Sequence, residues 1–133
     1  MAKWIGFDLD GTLARYGQWE GIEVIGEPIE PIVELAKEYI KSGYAIRIVT
    51  ARAEDPEAIP FIQDWCSLNG LGRPPVTQKK DFGMVKCYDD RAVQVVPNTG
   101  ETVQQQLEDL RLEYQKVSAA YEELKWRMEG LEK

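Results

Sequence analysis

Near the start of the chain, Trp4-Ile5-Gly6-Phe7-Asp8-Leu9-Asp10-Gly11-Thr12-Leu13-Ala14 passes without a break from apolar residues into two carboxylates, a glycine and a hydroxyl. Apolar character at Trp4, Ile5, Phe7 and Leu9 fits a buried strand of an α/β sheet, with acids placed where the strand ends. Asp8 and Asp10 stand two residues apart, so an ideal strand projects both from one side. Two carboxylates so placed repel each other and raise a pKa unless a counter-charge meets them, and Mg²⁺ is a natural one. Gly11 lets the chain turn sharply and is expected to leave backbone N–H groups facing an anion.

Three later segments carry the same kind of ending. Ile46-Arg47-Ile48-Val49-Thr50-Ala51-Arg52 is an apolar strand that closes on a hydroxyl and an arginine. Lys79-Lys80-Asp81 supplies lysines, and Val85-Lys86-Cys87-Tyr88-Asp89-Asp90-Arg91 is a strand that closes on paired acids. In this order the four pieces resemble the haloacid dehalogenase superfamily of phosphohydrolases, over about the first hundred residues. The resemblance implies that Asp8 is a nucleophile forming an aspartyl-phosphate, its other oxygen reaching Mg²⁺. Asp10 would protonate the leaving oxygen and later activate water, while its backbone carbonyl also reaches the metal. Thr50 would hydrogen-bond the transferring phosphoryl group, and Lys80, with Lys79 as the rival, would hold that group and Asp8. Asp89 would ligate Mg²⁺ directly and Asp90 directly or through water. Gly11, Thr12, Arg15, Ala51 and Arg52 fall where substrate is bound. Only eight residues separate Lys80 from Asp89, too few for the helix that the family usually places there.

The remaining elements follow from periodicity and punctuation. Arg15 to Gly26 has the glycines and alternation of a small hairpin. In the resembled family a flap over the site, or an inserted cap domain, stands at this place. About a dozen residues is too little for a cap, and Arg15, Tyr16 and Trp19 either touch substrate or pack the hairpin. Pro28 to Lys41 is apolar at helical spacing and closes on Gly43, and Tyr44 to Val49 then forms the second strand. Asp55 caps a second helix expected from Pro56 to about Asn69. Val76-Thr77 is a brief strand and Val93 to Val96 a last one. The expected architecture is a three-layer, Rossmann-like α/β fold, and the resemblance orders its parallel sheet 3-2-1-4-5. Its site sits at the carboxyl ends of the strands, beside the point where strand order reverses.

From Asn98 the pattern changes. Asn98-Thr99-Gly100-Glu101 has the spacing of a capping box. Val103, Leu107, Leu110, Tyr114, Val117, Tyr121, Leu124, Met128 and Leu131 then recur in steps of four and three, a heptad seam of about four repeats. At 1.5 Å per residue such a helix runs roughly 45 Å, more than a hundred-residue head can cover. The spacing therefore predicts a core over 1–97 and a coiled-coil tail over 98–133, self-associating through 101–133. Leu112, Ala119 and Trp126 form a second apolar stripe opposite the seam. That stripe favours an antiparallel or four-helix arrangement, a tetramer included, or docking on a neighbour's head, over a plain parallel dimer.

Composition narrows the chemistry. At 133 residues the chain allows one ordinary domain with something appended. It has no histidine, so acid–base work falls to carboxylates, Lys, Tyr or Cys. Cys66 and Cys87 make neither a disulfide framework nor a zinc site. The start runs straight into a strand with no leader, and no apolar run has membrane-spanning length, so a cytoplasmic protein is expected. A net charge of −7 disfavours a polyanionic partner. The expected activity is Mg²⁺-dependent hydrolysis of a phosphomonoester, with a small metabolite or nucleotide as substrate. A polynucleotide phosphatase and a phosphotransferase use the same residues, and a non-catalytic oligomeric scaffold is the contrasting class.

Overall fold

The structure is a computed structural model and describes residues 2–131. It divides into two compact units, one running to Asp90 and one beginning at Arg91. Position 1 of the expected core and positions 132 and 133 of the expected tail lie outside the described residues.

β1 (Trp4–Phe7) is buried at all four positions. It has a parallel neighbour on either side, as its unbroken apolar run requires. β2 (Ala45–Val49) pairs with it from Trp4↔Ala45 to Phe7↔Ile48. β4 (Met84–Tyr88) pairs on the other side and ends at Phe7↔Tyr88. β3 (Val76–Thr77) lies beyond β2, giving a four-stranded parallel sheet of order β3-β2-β1-β4.

α1 (Glu30–Lys41) joins β1 to β2 and buries Val33 and Ala36. Pro31 falls in its first turn, where a missing N–H costs nothing. Gly43, at a φ of 91°, takes the left-handed turn into β2. The second helix is shorter than its spacing suggests. Pro60 has no N–H to give the carbonyl of Pro56, so Pro56–Ala58 forms a tight 3₁₀ turn under an Asp55 cap. α2 (Ile59–Leu68) follows and buries Ile62 and Cys66.

Both crossovers step across the sheet in one direction, so right-handed connections bring α1 and α2 to the same face. There Ile5, Phe7, Ile46 and Ile48 pack against Val33, Ala36, Ile62 and Cys66. The opposite face carries Trp4, Gly6, Val49 and Cys87, whose side chains crowd the space where a Gly6 Cβ would stand. Residues 78–83, which return the chain from β3 to β4, contain no helix. The unit is therefore two-layered and not three-layered, because the link is too short to cover the second face. Side chains brace that face instead. The Arg47 guanidinium lies 4.5 Å over the Trp4 ring and donates to Asp81 Oδ2 at 3.0 Å. Trp4 Nε1 and the Gly83 N–H both donate to Asp81 Oδ1 at 2.8 Å. A Cβ at Gly83 would come within 2.1 Å of the Ala2 carbonyl oxygen, so only glycine lets the strap pass here.

The fifth strand expected over Val93 to Val96 does not join the sheet. Asn98 and Gly100, at φ of 64° and 75°, turn the chain back on itself, and Val95 bridges Thr102 instead. The backbone of Val93–Val96 therefore pairs with its own continuation: Val96 N donates to Glu101 O and Val103 N to Gln94 O. α3 (Val103–Leu131) is 29 residues long. Its cap is Thr102, whose hydroxyl accepts from Gln105 N at 3.1 Å, and not the Asn98 segment. No residue of α3 is buried, and its seam from Leu107 to Met128 is 56–71% exposed. Among the described residues no helix is long and apolar enough to cross a membrane.

Candidate functional site

Phe7 and Tyr88 are in register at the carboxyl ends of β1 and β4, the neighbours between which strand order reverses. The next residues are Asp8 and Asp89. Asp8 N donates to Tyr88 O at 2.9 Å, so the ladder continues one step past the strands and delivers both acids to one edge. Asp8, Asp89 and Asp90 each offer a carboxylate oxygen, and the three lie within 4.8 Å of one another. Asp89 and Asp90 are exposed while Asp8 is half-buried.

The turn after Asp8 is built around Leu9. That side chain is fully buried, and its carbonyl accepts from the N–H groups of Thr12, Leu13 and Ala14. Gly11, at a φ of 88°, gives its N–H to the Ala14 carbonyl. The N–H groups of Gly11 and Thr12 are thus spent inside the turn, where the sequence pattern had them facing an anion. Thr12 acts through its hydroxyl, which accepts from Asp90 N at 3.1 Å and donates to Asp90 Oδ1 at 3.2 Å. A Gly11 Cβ would fall 2.5 Å from Asp90 Oδ2, so the glycine also makes room for that carboxylate.

Asp10 stands apart from the cluster. Its two oxygens accept from Arg52 Nε and Nη2, both at 2.8 Å, in a bidentate pair. The third donor nitrogen of Arg52 reaches the Val24 carbonyl at 3.0 Å, and its Cζ lies 4.8 Å from the centroid of the Trp19 ring. Thr50, buried at the end of β2, accepts from Arg52 N at 3.2 Å and caps the turn Ala51–Glu54. Its hydroxyl proton is left to donate elsewhere. The Ala51 carbonyl accepts from Gln78 Nε2 at 3.2 Å. Lys79 follows Thr77 at the carboxyl edge, its N–H bonded to the Thr77 hydroxyl. Lys80 adjoins Asp81, which Trp4 holds at the opposite end of the sheet.

Arg15 to Gly26 is an irregular flap and not a two-stranded hairpin. Only its base is laddered: Ala14 bridges Pro28, and Arg15 N donates to Glu27 O. Trp65 Nε1 pins it at Gly26 O. Arg15, Tyr16, Val24 and Arg52 are among the residues lining a groove of about 470 Å³ beside it. Val24 is the participant that sequence gave no way to find, since it acts through a backbone carbonyl.

Electrostatics single out Asp8. Burial first, then the Asp89 carboxylate and a hydrogen bond with Asp90, push it up from 3.8 to about 7, against the Leu9 N–H that donates to it. The cluster therefore holds a proton near neutrality that a cation would replace. Its all-oxygen, anionic donor set suits a hard divalent ion. Three carboxylate oxygens within 4.8 Å of one another match in type what such an ion takes from a protein, the rest of its shell being water. The acidic cluster on this sheet edge is compatible with a hydrolase active site.

No family model matches the chain, and no curated protein matches it. It is similar to a solved structure described as a conserved protein coded by a locus from Bacteroides thetaiotaomicron. The TM-score is 0.52 and the identity 23%, over 74% of this chain and 84% of that one. At that identity the likeness speaks for the Rossmann-like α/β fold alone.

Proposed function

We propose that the chain is a Mg²⁺-dependent phosphomonoesterase of the haloacid dehalogenase type. The observation that carries this reading is the convergence of Asp8 with Asp89 and Asp90 at the switch point of the sheet. Asp8, Asp89 and Asp90 would hold Mg²⁺, which when bound supplies the positive charge that lets an anionic carboxylate approach a phosphate. Asp8, once ionised, attacks phosphorus and forms an aspartyl-phosphate as the ester oxygen departs. Asp10 leaves its pair with Arg52 and takes a proton from solvent before it protonates that oxygen, and as a carboxylate it then takes a proton from the water that hydrolyses the acyl phosphate. Thr50 donates its hydroxyl proton to a phosphoryl oxygen. The anchoring of Asp81 far from the acids favours Lys79 over Lys80 as the lysine that meets the phosphoryl group.

A groove of about 470 Å³, which none of the clustered acids lines and which adjoins Asp10 through Arg52, has room for a metabolite or nucleotide, and Arg15 and Glu20 give its lining both signs of charge, where a polynucleotide calls for positive charge throughout. Residues 98–133 serve as an oligomerisation segment, because 29 residues of amphipathic helix bury none of their apolar side chains within the chain. The test is phosphate release from sugar phosphates, nucleotides and 3′- or 5′-phosphorylated oligonucleotides, with and without Mg²⁺, and with Asp8→Asn as the blank. Metal-dependent release that disappears in the variant supports the assignment. Release that survives in Asp8→Asn refutes Asp8 as nucleophile.

A further inference from the structure

At the middle of the α3 seam, Tyr114, Val117, Tyr121 and Leu124 are 71%, 63%, 62% and 58% exposed, so no part of the described chain covers them. The steps of four and three place Tyr114 and Tyr121 at position a of the heptad and Val117 and Leu124 at position d. A parallel pair sets each residue beside its own copy. Tyrosine would then meet tyrosine in both central a layers, with valine against valine between them. Layers overfilled and underfilled in turn cannot reach the even density of a packed core. Reversing one helix brings a opposite d, because the steps are then read backwards. With the pair centred on Ala119, Tyr114 faces Leu124, Val117 faces Tyr121 and Leu107 faces Leu131 near the ends. Both central layers then join a tyrosine to a smaller aliphatic side chain. Ser118 and Ala120 flank these layers, and their small size lets the phenol hydroxyls reach water instead of being buried. Charge agrees along one edge, where Glu113 comes beside Arg127 of the second copy, a side chain already ordered by its own Glu123 at 2.8 Å. Along the other edge Arg111 meets Lys125, and each has an acid one turn away on its own helix, Glu108 and Glu129, to offset the repulsion.

We propose that α3 docks on α3 of a second copy of this chain, as an antiparallel pair centred on Ala119. The proposal rests on the oligomerisation segment assigned above and is independent of the phosphomonoesterase reading. The two chains enter such a pair from opposite ends, where a parallel pair would bring them in side by side.

The test uses the full chain. Cys87 is exposed and Cys66 buried, so a Cys87→Ser background accepts a nitroxide at Gln105→Cys or, in a second variant, at Gln115→Cys. Both positions are polar and stand outside the seam. Light scattering reads the mass, with the unlabelled chain beside the labelled ones, and pulsed electron spin resonance reads the distance between labels. At 1.5 Å per residue, centring on Ala119 separates the two Gln105 positions by about 42 Å along the axis and the two Gln115 positions by about 12 Å. The expected result is a mass of two chains, Gln105 labels about 40 Å or more apart and Gln115 labels within about 30 Å. A mass of one chain would overturn the oligomerisation reading and this proposal with it, and a mass above two chains would overturn the two-helix pair alone. In a dimer, Gln105 labels within about 30 Å would overturn the antiparallel direction, and Gln115 labels beyond that distance would overturn the centring on Ala119.

Discussion

Asp8 holds a proton in the folded protein under conditions where the unfolded chain has lost it. Between its ordinary value of 3.8 and about 7 the native state binds the extra proton, so stability is highest below that window and falls as pH rises through it. Asp8→Asn keeps the neutral, hydrogen-bonding form at every pH. Discounted for its partial exposure, the variant should gain roughly 1 kcal/mol, or about 5 °C in Tm, at pH 8 without metal, and little at pH 4. Mg²⁺ should raise the Tm of the wild type at pH 8 and leave the variant unmoved; thermal melts at the two pH values check both statements. Gly11→Ala should cost about 1–2 kcal/mol for its left-handed φ and, by displacing Asp90, weaken Mg²⁺ binding in a calorimetric titration. The acids were legible in the sequence because strand ends announce them. Their partners were not: Arg52 pairs with Asp10 across 42 residues and Thr12 with Asp90 across 78, and local pattern carries no trace of such meetings.

At the scale of elements, the segment after β3 reads differently in three dimensions than along the chain. Lys79-Lys80-Asp81 draws attention through its lysines, yet Asp81 is the residue with the dense set of partners: Trp4, Gly83 and Arg47. Those donors hold its carboxyl below the usual carboxylate range, Trp4 foremost, so the stability they confer is present above about pH 4 and is lost as pH falls further. Trp4→Phe keeps most of the buried ring and removes the N–H, and should cost about 1 kcal/mol in urea unfolding with β-sheet circular dichroism unchanged. β1, β2, β4 and α1 were legible from apolar runs and from Gly43. The fifth strand was misread because Val93-Gln94-Val95-Val96 has strand composition, and only the turn at Asn98 and Gly100 decides which backbone it pairs with. The third layer was misread because two helices were counted without asking which face each covers, and both crossovers step the same way across the sheet.

At the scale of the whole molecule, α3 offers two apolar stripes, one through Leu107, Tyr114 and Leu124 and one through Leu112 and Trp126, all exposed. Removing residues from Glu101 onward should convert an oligomer into a monomer by light scattering and leave the circular dichroism of the sheet intact; an unchanged mass would place the interface elsewhere. The heptad seam made this helix the most legible element of all, since its period needs no knowledge of the rest of the chain. The acids at residues 8, 89 and 90 carry a different consequence, one of time. The central strand that holds the first leaves the ribosome early, and the edge strand that holds the others comes after every other strand of the sheet. A nascent chain halted before β4 has one of the three acids and lacks the cluster. After dilution from denaturant, Mg²⁺ uptake should accordingly lag the burst of helix signal and keep pace with the slowest folding phase. The acidic cluster is thus complete only when the last strand of the sheet is in place.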